Sequence, residues 1–244
     1  MCDGMCIPQE YETYCEFIRR FSESYFIGNE KIPNISYVQT NREREKKVLS
    51  GSFDDKQAFI WMMAWKMGKI KRDGTLYRGW NDNSNPIMYP GSDREYELKI
   101  VELHEKILEE KKDLQIILNK DEPVKFISRI LEICEGNDIK GIGPVYAIAI
   151  LFFFSKGKYP IYDRFARVAV KTIFGNDRHI PRKGESENLP NFDYQVDYPE
   201  YINQISIAHK KYYNKESIDY LKNRMVDQAL WVYGHGFKPK YFSA

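Results

Sequence analysis

The sequence has no apolar run long enough to cross a bilayer. The longest, Val145 to Phe154, is ten residues, about half of the roughly 20 that a membrane helix needs. Thiols are few: Cys2, Cys6, Cys15 and Cys134 are too unevenly placed for a disulfide framework or a cluster held by four thiolates. They read as free, with Cys2 and Cys6 close enough to oxidise together. The histidines His104, His179, His209 and His235 show no ligand spacing, so no metal site is expected. Met1 to Gln9 lack the basic and apolar regions of a secretory signal. A cytoplasmic location is therefore expected, nucleoid-associated in a bacterium. Charge of one sign is also missing, because 37 Lys and Arg meet 35 Asp and Glu for a net of +2, and that balance selects no class of partner.

What is present is a globular composition. Apolar residues make up 43% of the 244 and charged residues 30%, which excludes a long disordered polymer and allows one larger domain or two smaller ones. The charge is unevenly distributed. From Gly136 to Glu185, Lys140, Lys156, Lys158, Arg164, Arg167, Lys171, Arg178, Arg182 and Lys183 outnumber Asp138, Asp163, Asp177 and Glu185. Such a stretch suits either a phosphate-contacting face or an ordinary solvated surface.

Apolar residues recur at spacings of three and four almost throughout, which predicts an all-α protein. Helices are expected over about 9–26, 55–69 (capped by Ser52 or Asp54), 93–118, 123–134, 144–154, from Asp163 to before Gly175, and 217–233. Residues 28–41 read as a connector, 42–49 as a short charged helix, 72–92 as a long loop or irregular insert, and 178–200 as an extended excursion.

The informative stretch is Ile139-Lys140-Gly141-Ile142-Gly143-Pro144-Val145-Tyr146-Ala147, placed between two predicted helices. A Gly-x-Gly turn lets the backbone take positive φ and turns successive amides outward at the start of the next helix, where they bind an anion. Pro144 suits the first helical position. The pattern fits a helix-hairpin-helix that grips phosphate without reading bases and, taken alone, equally a helix-to-helix turn of no function; a β-branched residue at Gly143 is expected to distort the turn. Downstream comes Tyr159-Pro160-Ile161-Tyr162-Asp163-Arg164-Phe165-Ala166-Arg167-Val168, with a carboxylate at a helix start.

Over about Pro123 to Gly175 the sequence resembles the helix-hairpin-helix superfamily of DNA base-excision glycosylases, in which hairpin, apolar helix and Pro-x-x-Asp recur at this spacing. Pro160-Ile161-Tyr162-Asp163 looks most like the adenine mismatch glycosylases, and Asp227-Gln228-Ala229-Leu230-Trp231 more like the 8-oxoguanine glycosylases. The resemblance implies two helical subdomains with the active-site cleft between them. One would span 52–162, and 9–51 with 163–244 would pack as the other, the whole chain forming one monomeric glycosylase unit acting on double-stranded DNA away from membranes.

It also implies roles. Asp163 would stabilise the cationic sugar, although Asp is equally a favoured helix N-cap. Lys140, Gly141, Gly143, Val145, Arg164 and Arg167 would line the DNA; His179 is a candidate phosphate contact only through its place beside Arg178 and Arg182. Gln228 and Trp231 would form the base pocket, unless they simply pack the last helix. Bifunctional members carry a lysine where this chain has Val145, so the resemblance implies a water nucleophile and no strand cleavage, with Lys156 and Lys158 as the nearby amines. No cofactor is expected, with room left for a structural monovalent cation at the hairpin. The rival reading is a non-catalytic DNA-binding module.

Overall fold

A computed structural model describes residues 13–27, 35–71, 73–77, 80, 87–88, 96–97, 99–174, 191–213 and 220–236. Cys2, Cys6, Arg178, His179, Arg182 and Lys183 lie outside the described residues. The described residues are all-α apart from an isolated bridge between Ile70 and Leu76 and a minimal antiparallel ribbon, in which β1 (Ile87–Met88), within the expected insert, pairs with β2 (Tyr96–Glu97), where helix was expected. The chain divides into two compact units, 43–156 and 1–42 with 157–244. The changes of unit fall after Arg42 and Lys156, against expected boundaries at 51 and 162.

The unit 43–156 takes in the second half of α2 (Ile35–Ser50), then α3 (Lys56–Lys66), α4 (Ile100–Glu109), α5 (Lys111–Asn119), α6 (Pro123–Gly136) and α7 (Pro144–Phe154). Helix α3 starts at Asp55, whose carboxylate accepts from the amides of Gln57 and Ala58, so Asp55 is the cap in place of the expected Ser52 or Asp54. The α3, α4, α6 and α7 stripes meet in a core around Phe59, Met63, Leu103, Ile107, Phe126, Ile130, Ile148 and Leu151, all inaccessible to solvent. Each such side chain contributes roughly 1.5–3 kcal/mol by leaving water. His104 belongs to this core: its Nε2 lies 2.9 Å from the Phe53 carbonyl and its ring stacks on Phe59. Cys134 is a buried free thiol whose proton affinity burial pushes up to about 12, which makes it inert as a nucleophile.

The other unit is built from α1 (Tyr14–Tyr25), α8 (Arg164–Phe174), α9 (Tyr194–Tyr213) and α10 (Tyr220–Gly234). Helix α10 packs against α1, α8 and α9. Tyr233 sets its ring edge-on to Phe17 and Phe21 of α1 at 5.3 and 5.4 Å, a favoured aromatic geometry. Helix α9 falls partly within the stretch expected to be extended. Its start is doubly capped, with Asp193 accepting from the Gln195 amide and Asp197 from the Asp193 amide, and Tyr198, Tyr201 and Ile205 bury one face.

Candidate functional site

The hairpin is organised by two buried isoleucines. After α6, Ile139 donates its amide to the Cys134 carbonyl and Asn137 Nδ2 donates to the Ile133 carbonyl. Ile139 and Ile142 are both buried, which pins the turn from below and leaves Lys140 exposed, 3.6 Å from Asp138. Gly141 has φ +84°, the left-handed conformation that glycine adopts without strain. Gly143 does not. Its φ of −95° and ψ of −177° are ordinary extended values, and a Cβ there would meet nothing within 4 Å.

The expectation that a β-branched residue at Gly143 distorts the turn is therefore corrected. Gly143 serves as the N-cap of α7, its carbonyl accepting from the amides of Tyr146 and Ala147, and the space before it is open. Val145, half-buried in the first turn of α7, presents an alkyl side chain. We expect Gly143→Val to lose no more than about 1 kcal/mol of capping, and a larger loss in thermal unfolding would restore the strained turn.

Asp163 stands at the head of α8. Its Oδ1 accepts from the amides of Phe165 and Ala166 at 3.1 and 3.2 Å, and its carbonyl accepts from the Arg167 amide. The expected N-cap is thus real, and it fixes the carboxylate in a half-buried position. Preceding residues are clamped: Tyr198 donates its hydroxyl to the Pro160 carbonyl at 2.8 Å, and Tyr162 stacks on Tyr201 with centroids 4.0 Å apart. Burial raises the proton affinity of all three phenols, Tyr162, Tyr198 and Tyr201, so they act as neutral donors and packing surfaces.

The two arginines of this stretch differ. Arg164 is exposed, its guanidinium 4.7 Å from the Phe165 centroid. Arg167 turns inward, with 13% of its side chain exposed. It pairs with Asp197 of α9 at 3.5 Å and covers the Phe192 ring. That engagement makes Arg167 a bolt between α8 and α9.

On α10, Gln228 is buried at 4% exposure and Trp231 is half-buried. Gln228 therefore sits among packed side chains, whereas Trp231 reaches the Asp163 neighbourhood through Phe165, 5.8 Å away, and His235, 3.8 Å away. Below them lies a buried ion pair, Arg224 with Asp227, extended by the Tyr201 hydroxyl donating to Asp227 and by Arg224 donating to the Tyr25 hydroxyl. His235 stacks on Phe165 and feels the charge of Asp163. It carried no motif, and only the fold brings it to the carboxylate.

The structure thus assembles Asp163, Arg164 and Trp231, together with His235, at the junction of α8 and α10. Lys140, Gly141, Gly143 and Val145 form the hairpin in the unit 43–156. Among the described residues no helix is long and apolar enough to cross a membrane, and no group of three His, Cys, Asp or Glu side chains is placed to hold a metal ion. No protein-family model, curated protein or solved structure matches the chain.

Proposed function

We propose that this protein is a monofunctional DNA base-excision glycosylase acting on an extruded damaged, mismatched or modified base. The observation that carries the reading is the setting of Asp163, a carboxylate fixed by two amides at a helix head beside aromatic rings. A preorganised negative charge of this kind stabilises an oxocarbenium-like sugar without reorganising during the reaction. The bond from C1′ to the base nitrogen breaks, and the base leaves with the bonding pair and takes up a proton. Water then supplies the new oxygen on C1′. The hairpin, with open space before Gly143 and the exposed Lys140 beside it, supports a phosphate grip, and Trp231 supports stacking on the base.

A non-catalytic DNA-binding module is the second reading, favoured by the fact that capping already accounts for Asp163. Release of free base separates the two. Duplexes each carrying one modified base are incubated with protein in excess, and the products are divided into halves with and without hot alkali. Base release from at least one duplex is expected, and binding without release from any of them would leave the module.

The same panel tests the nucleophile. An amine forms an imine whose β-elimination breaks the strand, whereas water leaves an intact backbone. With Val145 where the lyase amine would stand, strands are expected to break only after alkali, and borohydride is expected to trap no protein on DNA. A trapped adduct that disappears on mutating Lys156 or Lys158 would overturn the monofunctional assignment and leave the glycosylase reading standing.

A further inference from the structure

Phe165 ties three features together. Its amide donates to Asp163 Oδ1, its ring stacks on His235 with centroids 3.2 Å apart and planes 20° apart, and its backbone lies against Gly234. His235 is also held by Trp231, whose ring is 3.8 Å away and whose carbonyl oxygen lies 2.8 Å from Nδ1. A carbonyl only accepts, so Nδ1 carries the hydrogen and Nε2 is the nitrogen that takes up a proton.

We propose that His235 is a positioning residue for Asp163, when neutral stacking on the Phe165 that holds the carboxylate and, once protonated, placing a cation nearby that offsets its charge and slows base release. This inference rests on the glycosylase reading. A carboxylate stabilises a sugar cation only to the extent that its own charge is unmatched, and in a half-buried setting a second charge nearby acts strongly.

Burial holds the proton affinity of His235 below its ordinary value of 6.5, against the Trp231 carbonyl and Asp163, which raise it, while Arg164 lowers it further. Among the described residues, Asp163 and Arg164 are the charged groups that reach it from the start of α8. Its own helix α10 contributes the Trp231 carbonyl, and α1 meets the cluster through Tyr25 against Trp231. Near neutrality His235 is thus uncharged, and acidification supplies the cation.

Two measurements test this in the full-length protein. The first needs no activity: NMR titration of the His235 ring in the native chain and in Asp163→Asn. Loss of the nearby negative charge is expected to lower the midpoint, and an unchanged midpoint would overturn the coupling. The second compares single-turnover base release at about pH 5 with that at about pH 8 for the native protein, His235→Phe and His235→Gln. Phe keeps the stack, Gln keeps a donor for the Trp231 carbonyl, and neither protonates. The native ratio is expected to fall several-fold further than that of whichever variant folds. Coincident profiles would overturn the role of His235 without touching the glycosylase reading, whereas no base release by any form would remove that reading and leave the titration to decide the coupling.

Discussion

Asp163→Asn is expected to bind duplex DNA as the native protein does and to release base about 10²-fold more slowly, or worse. The contrast works because Asn and Asp are near-equal N-caps. The amides of Phe165 and Ala166 that now donate to Oδ1 would find the Asn carbonyl in the same place, so α8 keeps its start. What the substitution removes is the charge. Asp163→Ala is the useful partner, since it loses both charge and cap and is expected to cost about 1 kcal/mol of stability besides. Single-turnover base release read alongside thermal unfolding separates the two contributions. Full activity in a folded Asp163→Asn would reduce Asp163 to a cap and send the search for the catalytic carboxylate elsewhere.

Asp163 could be singled out because its chemistry and its capping role both sit within a few consecutive residues. Local signals of this kind carried much of the fold. Helix α6 ends at Gly136, α7 starts at Pro144 and α8 starts behind the capping Asp163, each at a residue whose local chemistry sets that boundary. The misreadings have long-range causes. The expected helix over 93–118 is divided at Glu110 between α4 and α5. No glycine or proline marks the break, and Arg129 of α6 fixes it from across the unit with two hydrogen bonds to the Glu110 carboxylate. Helix α2 begins at Ile35, inside a stretch whose asparagines read as a connector.

The hidden helix α9 had the largest effect on the site. Pro199 and the acidic run around it argued for extended chain, yet the helix forms because Asp193 and Asp197 cap its start and three large apolar residues bury one face. With α9 unseen, Asp197 could not be recognised as the partner of Arg167. His235 was missed for a related reason. A histidine just past the end of a helix has no local pattern, and its neighbours Phe165 and Asp163 are distant in sequence.

Gly234→Ala is expected to be the most destabilising single-methyl change in the unit that holds Asp163. Gly234 is the last residue of α10, and the left-handed residue that follows it is Gly236, with φ +68°. Gly234 is required for a different reason. A Cβ there would overlap the Phe165 carbonyl oxygen and lie 2.6 Å from the Phe165 carbonyl carbon and 3.2 Å from its Cα, and these are backbone atoms with no rotamer to change. The methyl can be admitted only by prising the head of α8 away from α10. That movement strains the cap at Asp163 and the stack on His235 together. Overpacking against side chains costs about 1–3 kcal/mol, and against fixed backbone we expect roughly 3 kcal/mol or more, a fall of about 6–12 °C in Tm for a chain of this size. Because Phe165 moves with α8, base release measured well below the new Tm is also expected to fall. A Gly234→Ala variant with native Tm would show that α8 and α10 do not meet this closely, and would undercut the placement of His235 near Asp163.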